Sequence, residues 1–510
     1  MPATILKTRD GILDASDAPA LAALQSRLAQ GNKTILLHLH GGLVSEEAGM
    51  DAAKRLSGQT AQSYRAPDEI EQIYVIWRTS VGETIATNWK DMFENDRLYR
   101  ILFNRILKFA ARRLGIPGVG PSLLKADFGL SSEEIEARLA SDSPAPFADL
   151  DALAQNAEGV VRADALAVDE AMVDAELTAM LETDPELQEV AASIAAAARG
   201  VPKGHALAMA GDPVAGYDML IRLDNAIEAE LRSAALAEES KGLLAAPSVM
   251  ITLVRHAAKI GWRVIKRFRS GRDHGFHATV VEELVRELYI DLIGSGIWDM
   301  MKRDAADHFK RGNLGSALIE ALSGSGHRLI LVGHSAGAIW VSEFLDSAKL
   351  RGAVPPAEVH FLAPAVRATK FADTLARASK QIASFRIFTM QDRFEREDPV
   401  LATILGSGAG AIYPSSLLYL ISGILENRNA AAYPDAPLVG MERFFKGNTG
   451  WIGEPEERKA LDDIRAMLAV QPDPLVLSVV KGGPGLSSSA IAHGGFTRDP
   501  DTLASINHTF

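Results

Sequence analysis

The 510-residue chain contains no cysteine. That excludes a disulfide framework, a thiolate metal site and a cysteine nucleophile. Positive charge is also in deficit, with 53 Lys and Arg against 65 Asp and Glu and a formal net charge of −12. General nucleic-acid binding needs a basic footprint that displaces counterions from phosphates, and this balance argues against it. Long apolar runs are missing as well. The longest, such as Leu417 to Leu425, are too short to span ~30 Å of hydrocarbon. The start, Met1 to Leu24, carries Asp10, Asp14 and Asp17 and no continuous apolar run, unlike a signal peptide. The expectation is a soluble, cytoplasmic protein with no integral membrane span.

Apolar residues make up 47% of the chain and charged residues 23%, enough for a sizeable core. Short strand-like runs occur at Thr34 to Leu39, Ile73 to Trp77, Leu329 to Val332, Val359 to Leu362, Phe385 to Thr389 and Leu475 to Val480. Helical segments lie between them, including Ala338 to Lys349, Ser415 to Glu426 and Glu454 to Val470. This alternation predicts an α/β fold with a mostly parallel sheet flanked by helices.

Between Trp77 and Leu329 no segment reads clearly as a strand. Apolar residues recur there at three to four residues, as in Leu166, Met172, Val173, Leu177 and Leu181. The organisation expected is a first part of the core at 1–80, a helical insertion at 81–270, and a second part of the core at 271–510. A helical segment this long needs apolar contacts, and a cap above the active-site edge would supply them.

The insertion is polarised. Asp149 to Arg199 holds twelve Asp and Glu against two arginines, whereas Arg255 to Arg272 holds seven Lys and Arg and no acid. The plain explanation is solvated helix faces, paired in part with each other. The sharper one is an amphipathic basic surface, with Arg255, Lys259, Arg263, Lys266 and Arg267, that attracts anionic ligands weakly.

The strongest chemical signal is Gly333-His334-Ser335-Ala336-Gly337, after a strand-like run and before a helical one. G-x-S-x-G needs that context, because the turn is so tight that the serine takes a strained backbone conformation. The glycines remove side chains that would collide across the turn. Ser335 is the expected nucleophile, and the N–H of Ala336 can donate to a developing oxyanion.

A second signal, His38-Leu39-His40-Gly41-Gly42-Leu43, ends the first strong strand. Paired glycines let the backbone aim an N–H, of Gly42 or Leu43, at a substrate oxygen. His40 would brace this loop. Downstream, Asp392 is the first carboxylate past the run Phe385 to Thr389, which suits the triad acid; Glu395, Glu397 and Asp398 compete. Three histidines follow Ser335, and they are His360, His493 and His508. His360 lies in a strand-like run and His508 at a fraying end, which leaves His493 as the general base.

These motifs resemble the α/β-hydrolase superfamily on its serine esterase and lipase side. His40-Gly41-Gly42 resembles the oxyanion segment of that family, Gly333 to Gly337 its nucleophile elbow, and Ser335, Asp392, His493 its chain order. The match covers roughly 30–80 and 325–500. It departs in placing the extra mass before the nucleophile strand.

A weaker constellation, Gly271 to Thr279, opens a helical run from Val280 to Leu292, with Thr279 and Glu282 in capping-box spacing. His274 and His277 lie three apart without a third ligand, so no metal and no cofactor are expected. The function expected is carboxylic ester hydrolysis through an acyl-enzyme. An amidase, thioesterase or acyltransferase would use the same triad. A non-catalytic binding module on a hydrolase fold is the alternative of another class.

Overall fold

Runs of two to eight residues, several of them apolar with both faces covered, form the strands of this chain. In a computed structural model they pair into one eight-stranded sheet. The model describes residues 3–42, 44–77, 82–114, 131–141, 143, 145–156, 169–198, 213–239, 246–269, 275–292, 295–324, 326–351, 354–399, 412–426, 435–445 and 454–510. The strands are β1 Thr4–Arg9, β2 Ile12–Leu13, β3 Thr34–Leu39, β4 Glu71–Trp77, β5 Arg328–His334, β6 Ala357–Leu362, β7 Ile382–Thr389 and β8 Leu475–Leu477. Their order is β2-β1-β4-β3-β5-β6-β7-β8. Only the β1–β2 pair is antiparallel. The fold class is therefore α/β with a mostly parallel sheet, compatible with an α/β-hydrolase.

Burial explains the central register. β4 is buried along its whole length, and β3 and β5 are buried beyond their first residue. Leu37 pairs with Leu331 and Leu39 with Gly333, so the ends of β3 and β5 lie side by side. Parallel strands bring their C-terminal ends to one edge of the sheet. His40-Gly41-Gly42 and Ser335 therefore leave the same edge. The helix Gly337–Arg351 packs back on β5, and its buried Trp340 and Phe344 meet Phe309 with ring centroids at 4.8 and 6.2 Å.

Two details differ from the sequence reading. β1 and β2 are additional strands near the start of the chain. β8 stops at Leu477, where Val479 takes a positive φ of 62° and its N–H bonds to Ser488 O instead of a neighbouring strand.

The described chain divides into two compact units. The first, holding the sheet, comprises Met1–Glu83, Gly296–Asp398 and Ser416–Phe510. The second comprises Thr84–Ser295 and Pro399–Ser415. Its described elements are helical, and its core forms from their own apolar faces: Leu102 and Ile106 of Arg97–Arg113, Val173 and Leu177 of Glu170–Glu182, Leu187 and Ile194 of Pro185–Ala198, Leu253 and Ile260 of Ala246–Arg269.

Several charges of these runs are paired among the described residues. Arg255 bonds Glu230, Lys259 and Arg263 bond Glu287 at 2.9 and 2.7 Å, and Arg267 bonds Glu282 at 2.7 Å. Arg267 is 2% exposed and Glu282 fully buried. Most of the basic face is thus engaged with glutamates rather than presented as open cations. The acidic run pairs elsewhere, Asp184 and Glu186 with Arg105 and Glu189 with Arg97.

The helix expected from Val280 starts earlier, at Phe276, with Gly275 as its N-cap residue and Asp151 Oδ1 accepting the Phe276 N–H. Thr279 is inside the helix and bonds back to Gly275 O, and Glu282 belongs to the Arg267 cluster, so the two form no capping box. His277 is buried against Phe103 and Phe147, with ring centroids at 5.4 and 5.1 Å. Gly271 to His274 lie outside the described residues. Among those described, no cluster could hold a metal ion and no helix is long and apolar enough to cross a membrane.

Candidate active site

The strand-to-helix turn after β5 is built by close backbone approach. A Cβ on Gly337 would lie 2.4 Å from Leu39 O, and one on Gly333 would lie 2.9 Å from Ala338 N. Neither position accepts a side chain without moving backbone. The turn forces Ser335 to φ 53°, a region that costs a non-glycine residue free energy and persists only when its surroundings fix it. They do so here: Ser335 N donates to Leu362 O at 2.8 Å, and Ser335 O accepts from Ala338 N at 3.1 Å and Ala365 N at 3.0 Å. Ala336, fully buried, stands at the positive end of the following helix.

His493 comes from the other end of the chain. The segment after β8 leads to a short helical turn, His493–Gly495, and sets His493 Nε2 2.9 Å from Ser335 Oγ. Both side chains are buried. Burial disfavours the imidazolium and holds the His493 pKa well below 6.5, with His334 adding to the effect. With Nε2 accepting from the serine hydroxyl, the ring proton sits on Nδ1. That nitrogen is buried and has no hydrogen-bond partner among the described residues.

The carboxylate that reaches His493 is Asp398. Its Oδ2 accepts the backbone N–H of His493 at 2.6 Å. Desolvation raises the Asp398 pKa, and the His493 N–H opposes that rise. Asp392 is engaged elsewhere. Its Oδ1 accepts from Tyr419 Oη at 2.6 Å, its Oδ2 from Arg396 Nε at 3.0 Å, and its N–H donates to Glu442 Oε2 at 2.8 Å. The structure does not bring it to His493 Nδ1. Residues Asp392–Arg396 form a helical turn. Glu395, inside that turn, is buried and bonded to Ser416, and burial lifts its pKa well above the ordinary carboxylate range.

The glycine pair after β3 sits beside Ser335. A Cβ on Gly41 would lie 3.0 Å from Ser335 Cβ, and one on Gly42 would lie 3.2 Å from Ala336 Cβ and 2.6 Å from Met301 Sδ. His40 braces the loop: Nδ1 donates to Gly41 O at 2.7 Å and Nε2 accepts from Trp77 N at 3.2 Å. Burial lowers its pKa to about 4, which keeps this tautomer neutral. Because a trans peptide points its C=O and N–H in opposite directions, holding Gly41 O turns the Gly42 N–H away from His40. Leu43 lies outside the described residues.

Two contacting residues had no role in the sequence reading. Met301 covers the Gly42 turn. His334 Nε2 lies 3.1 Å from the His493 carbonyl oxygen. His360, by contrast, is buried within β6 at a distance from this chemistry along the sheet.

A base hydrogen-bonded to a strained serine, beside glycine backbone at a sheet edge, can take a proton from that serine as it attacks an acyl carbon. Comparison with family models, with curated proteins and with solved structures gives no match for this chain.

Proposed function

We propose that this protein is a serine hydrolase that cleaves carboxylic esters. The observation that carries this reading is the 2.9 Å contact between His493 Nε2 and Ser335 Oγ, made by a serine held at φ 53°.

On this reading Ser335 Oγ attacks the acyl carbon while its proton passes to His493 Nε2. The carbonyl oxygen gains the electron pair and faces the N–H of Ala336 and of the Gly42 turn, where fixed dipoles stabilise it without reorganisation. The C–O bond to the leaving alcohol breaks, and His493 returns the proton to that oxygen. Water, giving its proton to His493, then attacks the acyl carbon, the bond to Ser335 Oγ breaks, and His493 returns the proton to Oγ as the acid leaves. Asp398 is read as the acid that supports His493, in place of Asp392, because it alone of the candidate carboxylates bonds to His493, through the backbone N–H. Its charge would favour the imidazolium as it forms.

The test is hydrolysis of p-nitrophenyl esters of increasing acyl length, by the wild-type chain and by Ser335→Ala. Turnover lost in the variant supports the reading. Equal turnover in both removes Ser335 from the chemistry.

A further inference from the structure

His334 is the last residue of β5 and immediately precedes Ser335. It is 8% exposed. Its Nε2 lies 3.1 Å from the carbonyl oxygen of His493, and the two rings lie 5.5 Å apart at a 31° tilt. A carbonyl only accepts, so this contact fixes the proton of His334 on Nε2. His493 is thus held at both of its backbone polar groups by side chains, its N–H by Asp398 and its C=O by His334.

We propose that His334 is a positioning residue that ties the backbone of His493 to the nucleophile strand and so fixes the distance between base and serine. This rests on the hydrolase reading of Ser335 and His493. Holder and nucleophile are consecutive residues of one strand end. The base is then set relative to Ser335 by a single peptide and one hydrogen bond. Without that bond its backbone is held by Asp398 at the N–H and otherwise by the loop that follows β8, whose Val479, Val480 and Ile491 are about half exposed. A near-attack geometry tolerates little slack, since a displacement of about 1 Å costs on the order of 100-fold in rate.

His334 serves in the neutral state. The titratable groups that face it are His38, His40 and His493, all disfavoured as cations by burial. Its own pKa is lowered to about 4. A neutral holder supplies its N–H without opposing the positive charge that His493 acquires when it takes the serine proton.

The experiment measures the rate at which a fluorophosphonate labels Ser335. In that reaction Oγ attacks phosphorus, the P–F bond breaks, fluoride leaves and the hydroxyl proton passes to His493. Three variants are compared with wild type. His334→Gln keeps an N–H near the position of Nε2. His334→Asn is equally polar but too short to reach. His334→Phe keeps the bulk without the donor. Labelling by Asn and Phe should slow by about 100-fold, with Gln within about tenfold of wild type. Should Phe fail to fold, the contrast between Gln and Asn carries the test. Equal rates for Gln and Asn overturn the proposal and leave the hydrolase reading intact. A wild-type chain that takes no label on Ser335 overturns both.

Discussion

The backbone N–H of His493 donates to Asp398 Oδ2 at 2.6 Å, while Nδ1 of the same residue has no hydrogen-bond partner among the described residues. His493 is therefore held by a carboxylate at its main chain and by Ser335 Oγ at its ring. On the proposed reading, Asp398→Asn should reduce ester turnover by roughly tenfold or more, the loss that one pKa unit of support for the His493 imidazolium would bring. Asp392→Asn should reduce it far less, since Asp392 bonds Tyr419 and Arg396. Steady-state kinetics of the two variants decide this. A severe Asp392→Asn beside a mild Asp398→Asn reverses the assignment.

Ser335→Ala should lower turnover by about 10⁶ with the fold intact. Circular dichroism and the thermal midpoint check the fold. Residual activity within tenfold of wild type in a pure sample contradicts the nucleophile.

The pH profile has a definite sign. Protonated His493 cannot accept the serine proton, so the rate falls as pH falls. Burial places the His493 pKa well below 6.5, so the acid limb of kcat/KM should also lie below 6.5. A limb centred above that value would argue for another base.

Stability should follow the buried histidines. His40, His308 and His334 titrate at about 4 and His360 at about 3 in the folded chain, against 6.5 for the free side chain, because burial disfavours their charged forms. Between those values the unfolded chain binds protons that the folded chain does not. Stability is then full above pH 6.5 and falls as the pH drops toward 4. Urea midpoints measured from pH 7.5 to 4 check the slope. A flat series would mean that these histidines are not buried neutral.

In the helical unit, Arg267 is enclosed with Glu282 and Glu283, and Tyr413 Oη bonds Glu282 at 2.5 Å. Removing Arg267 takes a buried cation from two buried carboxylates, leaving Glu283 with Arg286 and Glu282 with Tyr413. Arg267→Met should destabilise by about 3–5 kcal/mol. Denaturant titration measures it, and a loss under 1 kcal/mol would show that water reaches the cluster.

Legibility in the sequence followed burial. Strands covered on both faces, such as β3, β4 and β5, read as continuous apolar runs. β1 escaped because it is Thr-Ile-Leu-Lys-Thr-Arg, and its inward positions include Thr4 and Thr8. Those threonines are satisfied by distant partners, Thr4 by Arg27 and Thr8 by His308, which no local pattern reveals. That Ser335 and His493 meet is readable from chain order and from the glycine-rich loop after the last strand. The carboxylate that reaches His493 is harder to read. Taking the first carboxylate past β7 selects Asp392, but the chain turns into Asp392–Arg396 there and delivers Asp398 to His493 instead. Pro399 after Asp398 is the one local hint, since a residue before proline favours extended backbone and ends a helical turn. The partners that occupy Asp392 come from Tyr419 and from its own helical turn, and only the folded chain shows that competition.

The pairing of β3 with β5 has a cost during synthesis. β4 ends at Trp77 and β5 begins at Arg328, so the ribosome must add some 250 residues between them. At about 5–20 residues per second that takes roughly 12 to 50 s. Throughout that interval β2, β1, β4 and β3 can assemble into a half-sheet, but its β3 margin, Thr-Ile-Leu-Leu-His-Leu, has no neighbour. An apolar strand with unpaired amides is a template for another chain. The nascent protein must therefore carry an adhesive margin until the segment bearing Ser335 arrives to close it.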